Sequence, residues 1–174
     1  MDNREQYIVR RGDHAITDQA TMDSLLRSAQ VGRVGVVAEG DPYIVPMNFA
    51  YEPGRIIVHG ADQGRLFRAI QSNPRVCFEV DEYIATLQDS VLCHYDTAYA
   101  SVICFGTARV LEGLEDRTEA LRSLARKYAS EDEAEKLKLG TVEDYRGKLG
   151  AQTAVIEISI EVMTGKHQPL IRAA

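Results

Sequence analysis

The sequence lacks any excess of positive charge: 20 Lys and Arg face 26 Asp and Glu among 174 residues, for a formal net charge of −6. A sequence-independent grip on nucleic-acid phosphates needs the opposite balance, so no nucleic-acid partner is expected, although a local basic patch could still hold one small anion. No apolar run approaches the roughly 20 residues that span a bilayer. The opening stretch, MDNREQYIVRRGDHA, lacks the apolar centre of a secretory signal. A cytoplasmic protein with no membrane partner is therefore expected. Cysteines are few and odd in number, Cys77, Cys93 and Cys104, with no C-x-x-C pair, which argues against a disulfide framework and a structural zinc site. Cys77 and Cys104 sit inside apolar runs and read as small core residues. The four histidines, His14, His59, His94 and His167, include no i,i+4 pair, and Cys93-His94 is adjacent rather than spaced for one-face ligation, so no metal is expected. Phosphate loops, dinucleotide fingerprints, zinc-protease motifs and the nucleophile elbow are all absent.

What remains is an ordinary globular composition, 45% hydrophobic and 26% charged, at a length suited to one domain over residues 1–174, with residues 1–14 as a polar arm able to drape over a neighbour. Thr17 to Gln30 reads as a helix capped by Thr17 or Asp18, with Met22, Leu25, Leu26 and Ala29 on one side and Gly32 as its stop. Strands follow at Arg33–Ala38 and Tyr43–Tyr51, separated by a turn at Glu39-Gly40-Asp41-Pro42. Pro46 lies inside the second and marks an edge, a bulge or a break. A short loop at Glu52-Pro53-Gly54 leads to a third strand, Arg55–Gly60. Further strands are expected at Arg75–Glu82, at Tyr99–Leu111 with Gly106 inviting a bulge or a close backbone approach, and at Thr153–Met163. Tyr83–Ala98 reads as an irregular functional loop. Asp116–Tyr128 is an amphipathic helix with Ala120, Leu121, Leu124 and Ala125 inward. Ser130–Leu149 is helical in pieces, closed by Gly147 and Gly150, and Thr164-Gly165-Lys166-His167 is an exit turn. About six antiparallel strands interrupted by helices suggest a small, partly open barrel of α+β type.

The informative stretch is Arg55–Pro74, RIIVHGADQGRLFRAIQSNP. An apolar strand, Ile56-Ile57-Val58, reaches His59-Gly60-Ala61, breaks at Asp62-Gln63-Gly64, and becomes a helix with Leu66, Ala69 and Ile70 on one face. With Asp62 as N-cap, Gly64 and Arg65 fall in the first turn. Free N–H groups, the positive end of the helix dipole and Arg65 then form a seat for a phosphate; the alternative is a solvated arginine on an ordinary connection. Pro46-Met47-Asn48-Phe49, apolar side chains with one amide on an edge strand, would suit a flat heteroaromatic ring.

The segments GRVGVV, DPYIVPMNFAYEPGRIIVHGADQGRLFRAIQSNPRVCFEV, YASVICFGTARVLEG and IEVMTGK, in that order, resemble the FMN-binding split barrels of the pyridoxamine 5′-phosphate oxidase-like superfamily, nearest the nitroimidazole-resistance (nitroimidazole reductase) branch. The likeness covers about residues 17–167. It implies a six-stranded antiparallel split β-barrel with peripheral helices, and a homodimer with two FMN sites between its subunits. By position it implies that Pro46, Met47, Asn48 and Phe49 border the flavin ring, with His59 and Gly60 beside the ring and ribityl chain. Gly64, Arg65 and Leu66 form the phosphate-binding helix start, and Tyr99, Ser101 and Val102 reach the flavin from the partner. Leu66 stands where many relatives carry lysine and Ala100 where close relatives often carry arginine, so the phosphate meets less charge here. His59 matches a histidine that is a candidate proton donor, with a purely hydrogen-bonding role as the alternative. The implied function is an FMN-dependent oxidoreductase reducing nitroaromatic or other electron-poor small molecules. Its alternatives are a non-catalytic flavin- or F420-binding module and a haem-binding barrel with His59, His94 or His167 as axial ligand. The basic substrate-phosphate pocket of true pyridoxamine-phosphate oxidases is not visible after Met163, where Lys166-His167 reads as a solvated turn.

Overall fold

Alternation of apolar and polar residues along the chain produces one antiparallel sheet that curls around its own buried face. The computed structural model describes residues 6–144, 146 and 150–170. Its strands are β1 (Ala15–Ile16), β2 (Gly32–Ala38), β3 (Asp41–Met47), β4 (Phe49–Glu52), β5 (Arg55–Ala61), β6 (Arg75–Leu87), β7 (Asp96–Val110) and β8 (Thr153–Gln168). Its helices are α1 (Gln19–Ser28), α2 (Arg65–Ser72), α3 (Leu114–Tyr128), α4 (Glu131–Glu135) and α5 (Leu139–Asp144). The strand order is β3-β2-β6-β7-β8-β5-β4, with β1 added on β8. This is the α+β split barrel: the expected strands are all present, the segment 43–51 dividing into β3 and β4 and the two-residue β1 joining them. No helix among the described residues is long and apolar enough to cross a membrane.

The inner face carries the main core. Val34 and Val36 of β2, Phe49 of β4, Ile56 and Val58 of β5, Phe78 and Val80 of β6, Val102 and Cys104 of β7 and Ile156 and Ile158 of β8 are all buried there. Phe49 and Phe78 meet edge to face with ring centroids 4.8 Å apart, the arrangement that aromatic quadrupoles favour. Residues of opposite parity, Ala50, Ile57 and Val155, form a second cluster on the outer face with Leu111 and with Ala120 and Leu124 of α3. Beside it Glu157 is buried and accepts from Arg109 Nε and Arg55 Nη1, both at 2.9 Å. Burial opposes its ionisation, yet these two arginines outweigh that and hold the carboxyl below its ordinary range.

Several local expectations are corrected. Gly32 is the first residue of β2 rather than a helix stop, and a Cβ there would lie 2.0 Å from Phe78 Cζ, so the absent side chain makes room for the core ring. Asp18, one of the two expected caps, accepts from Thr21 N at 2.9 Å. The β2–β3 turn is only Glu39-Gly40, both at positive φ, which leaves Asp41 and Pro42 in the strand. Pro42 and Pro46 are tolerated because β3 is a sheet edge, one of the options Pro46 left open. Tyr83–Leu87 is not loop: β6 continues past a register shift between Tyr83 and Ala85 and pairs with Asp96–Tyr99, so the connection shrinks to residues 88–95. The expected exit turn is also strand, since β8 runs on to Gln168 with Lys166 and Gly165 opposite Ala15 and Ile16. The helical pieces after Ser130 are α4 and α5; Gly147 and Leu149 lie outside the described residues. At the other end Tyr7 packs on Phe105 of its own chain, ring centroids 4.5 Å apart.

Gly106 answers its expectation. The β7–β8 register shifts between Phe105 and Gly106, and a Cβ at Gly106 would sit 2.0 Å from the Ser159 carbonyl oxygen. Backbone cannot swing aside as a side chain can, so Gly106→Ala should destabilise the fold by roughly 2–3 kcal/mol. Urea unfolding of the variant against the parent measures this, and an unchanged midpoint would contradict the close approach.

Candidate functional site

The chain passes from the β3 edge to the β4 edge through one residue, Asn48. Asn48 is exposed, while Phe49 immediately after it is fully buried. The backbone groups at this crossing are met by α3, whose last residue, Tyr128, accepts from Phe49 N at 2.9 Å. The same hydroxyl lies 2.7 Å from the Gln30 carbonyl oxygen and 3.1 Å from that of Phe49. Beside the crossing β5 ends at His59, Gly60 and Ala61. His59 shares the outward parity of Ile57, so its ring projects on the side that α3 covers, whereas Gly60 turns towards Met47, whose Cε would lie 3.7 Å from a Cβ there.

Asn48 and His59 thereby stand at one cavity of about 430 Å³, lined also by Leu121, Leu124, Ala125, Tyr128, Leu137, Thr141, Val142 and Thr153. Leu124 and Val142 are buried and form its apolar floor; Asn48 and His59 are exposed at its mouth. Although the His59 residue as a whole is exposed, its imidazole is sheltered enough that desolvation lowers its pKa from the ordinary value and favours the neutral ring.

The helix start after β5 differs in detail from its sequence reading. Gly64, not Asp62, is the N-cap, at φ 129° and with no side-chain cap. Asp62 instead ties β5 to β8: its N–H donates to Gln152 O at 2.9 Å and its Oδ1 accepts from Gln152 N at 3.1 Å. An Asp two residues earlier would have capped the helix, but this pairing withdraws it. The first-turn N–H groups are thus left to a ligand or solvent, and no atom lies within 4 Å of where a Gly64 Cβ would be. Arg65 lies with its guanidinium carbon 4.7 Å from the Tyr43 ring centroid. Its Nη2 donates to Ala38 O at 3.3 Å and lies 3.5 Å from Asp41 Oδ2. Its Nε is buried with no hydrogen-bond partner among the described residues. An orphaned cationic N–H beside an uncapped helix start fits a phosphate group. Leu66 packs against the main core and offers that anion only its backbone.

The remaining expected positions lie elsewhere. Val102 is fully buried in the core, and the Phe49 ring is likewise enclosed, so either could meet a ligand only through backbone. Tyr99 and Ser101 pair with Gln168 and Lys166 of β8, whereas His59 pairs with Val155. The strand between Val155 and Lys166 is on the order of 35 Å of chain at about 3.3 Å per residue. One chain therefore does not bring Tyr99 and Ser101 to His59. Of the other histidines, His94 and His167 line a separate open cleft with His14 and Cys93, and no group of three or more His, Cys, Asp or Glu among the described residues is placed to hold a metal.

Sequence reading missed the cavity walls on α3 and α5. Leu121, Leu124 and Ala125 carry the periodicity of an ordinary core-facing helix, and nothing in that spacing distinguishes a wall from a core. Tyr128 at the helix end had no signal at all, since its partners are backbone atoms remote in sequence.

A split barrel with an uncapped helix start following a histidine-edged cavity defines a class of fold rather than one reaction. Residues 18–167 match the family model for pyridoxamine 5′-phosphate oxidase, and the chain belongs to that family. Comparison with curated proteins gives no match. Among solved structures it is similar to a candidate 5-nitroimidazole antibiotic resistance protein from Bacteroides thetaiotaomicron, at 25% identity and TM-score 0.70 over 87% of this chain and 85% of that one. The flavocytochrome Anf3 of Azotobacter vinelandii superposes with TM-score 0.79 at 24% identity, over 95% of this chain and 75% of that one. An FAD and haem binding protein from Mycobacterium smegmatis gives 0.72 at 18%, over 89% and 73%. The last two likenesses speak for the fold alone.

The depressed His59 pKa has a measurable sign. The unfolded chain takes up the proton at a higher pH than the folded one, so the His59 contribution favours folding above pH 6.5 and is lost as pH falls through that value towards the folded pKa. An NMR titration of the imidazole should give a midpoint below 6.5; a midpoint at or above 6.5 would remove the desolvated ring from the site.

Proposed function

We propose that this protein is an FMN-dependent oxidoreductase that reduces small electron-poor molecules, nitroaromatic and nitroimidazole-like compounds among them, and that it works as a homodimer. The observation that carries this reading is the placement, at one end of β5, of His59 at a cavity and of the Gly64–Arg65 helix start with its unpartnered Arg65 Nε. The likeness to the Bacteroides protein supports the substrate class. Membership of the family supports a flavin.

Once reduced by an external electron donor, FMN would supply the electrons when bound. The chain's own residues bind and orient. Arg65 and the first-turn N–H groups of α2 hold the phosphate, Pro46, Met47 and Asn48 with the Phe49 backbone border the ring, and Gly60 leaves the strand end approachable. Val102 contributes backbone, while Tyr99 and Ser101, remote from His59 in their own chain, serve the site of the other subunit. His59 at the cavity mouth offers a ring N–H as hydrogen-bond donor to a substrate oxygen or nitrogen, and its imidazolium form, populated as pH falls, is the one that passes a proton as negative charge develops there.

Protein purified, mixed with FMN and freed of excess should show the absorption bands of bound flavin. A colourless product would overturn the flavin reading, and one that retains haem or F420 in place of FMN would replace it with the corresponding binding protein. Arg65→Ala removes a charge-assisted contact worth roughly 1.5–3 kcal/mol and should weaken FMN retention about ten- to a hundredfold. Equal retention would move the phosphate elsewhere. Sedimentation velocity of the loaded protein should show a dimer carrying flavin, and a flavin-loaded monomer would contradict the shared site.

A further inference from the structure

The cavity under α3–α5 has walls whose chemistry the reading above leaves unused. Among the described residues, not one Asp, Glu, Lys or Arg lines it. Two cations of α3 are committed to the backbone of those walls: Arg117 Nη2 donates to Thr153 O at 3.1 Å, and Arg122 donates to Leu137 O from Nε at 3.1 Å and from Nη2 at 2.9 Å. These bonds turn positive charge away from the interior and fix the Leu137 turn as a wall. Inside, Leu121, Leu124, Ala125, Leu137 and Val142 present hydrocarbon, and the polar lining residues are Asn48, His59, Tyr128, Thr141 and Thr153.

We propose that this cavity is the substrate site and that it selects an uncharged, mainly apolar ring compound with a hydrogen-bonding group at one end, Leu121, Ala125 and Leu137 setting its size. In calling that ligand a substrate the inference rests on the oxidoreductase reading. An ionic group carried to the floor would lose its hydration against Leu124 and Val142, with no counter-ion among the described lining residues to meet it. A hydrogen-bonding group left at the mouth meets Asn48 and a neutral His59, which can each donate or accept. The volume, about 430 Å³, falls within the range of about 300–1,000 Å³ usual for small-molecule sites and admits a compound of one or two fused rings. A phosphorylated amine has the wrong charge for it.

The test uses the full chain with N-phenyl-1-naphthylamine, an uncharged probe whose emission rises in apolar surroundings. Emission should rise saturably, and uncharged 1-naphthol should displace the probe while anionic 1-naphthalenesulfonate does not. Ala125→Phe, which fills the cavity from α3, should weaken probe binding at least tenfold. Should that variant fail to fold, as judged by circular dichroism, Leu137→Asp on the half-buried wall should produce the same loss. Non-saturable emission, equal binding by the folded variant, or equal displacement by the sulfonate would overturn the proposal. FMN retention, read by absorbance on the same preparations, keeps the two readings apart. Probe bound with FMN lost defeats the flavin assignment alone, and FMN retained with the probe unbound defeats the cavity assignment alone.

Discussion

Met47 ends one edge of the sheet and Phe49 begins the other, so the two edges must come within roughly 7 Å, two Cα–Cα steps, across Asn48. A flat seven-strand order cannot satisfy that. The sheet curls until its edges face one another, and the Phe49–Phe78 contact fills the space so enclosed. No ladder joins β3 to β4, so the barrel stays split along this seam. The same constraint displays Asn48, exposed between a half-buried Met47 and a buried Phe49, beside the end of β5 that carries His59.

A seam without a ladder leaves backbone polar groups to be satisfied, and buried ones are rarely left alone. α3 answers that need. Tyr128 meets Phe49 N and lies beside the carbonyls of Phe49 and Gln30. Lys127, one residue earlier, places its ammonium 3.5 Å from the Phe49 ring centroid and donates to Leu26 O at 3.4 Å. Burial pushes this amine down to about 8, so the cation is held against an aromatic face at the expense of its hydration. The end of α3 is thereby fixed over the seam. Its middle, through Ala120 and Leu124, packs on Ile57 and Val155. The cavity beside His59 opens between the second half of α3, the Leu137–Val142 segment and the sheet residues Asn48, His59 and Thr153.

The barrel was largely legible because its strands alternate and its exceptions are glycine and proline. Gly106 and Pro46 announced a close approach and an edge, and both are there. The misreadings share a cause: local signals were taken at face value where a distant partner decides. Asp62 looks like a cap until Gln152 claims it. Tyr83–Leu87 looks irregular until the opposite strand, Asp96–Tyr99, provides a ladder for it. For the site, residues near glycines could be read, since His59-Gly60 and Gly64-Arg65 carry backbone information in the sequence itself. Leu121, Ala125, Leu137 and Thr141 could not, because an apolar stripe looks the same whether it meets a core or a void.

The separation of His59 from Tyr99 and Ser101 along β8 bears on how charge is handled in the proposed site. Within one chain Arg65 is the cation in the first position of the helix, and Leu66 after it is turned into the core. The strand expected to answer it from the other subunit brings no cation at the position between Tyr99 and Ser101. That residue, Ala100, lies in a hollow with Glu82 and with Asp81, whose carboxylate is paired with Arg33. A dianionic phosphate held by one arginine and a few N–H groups depends on short-range hydrogen bonds more than on net charge. Arg65 is already half committed to Ala38 O and stacked on Tyr43. Those contacts restrict its rotamers in advance and lower the entropy lost when an anion arrives. Pre-organisation of one arginine thus offsets part of what a second cation would add, and it locates the affinity in a residue whose geometry the β2–β3 hairpin, not the partner subunit, controls.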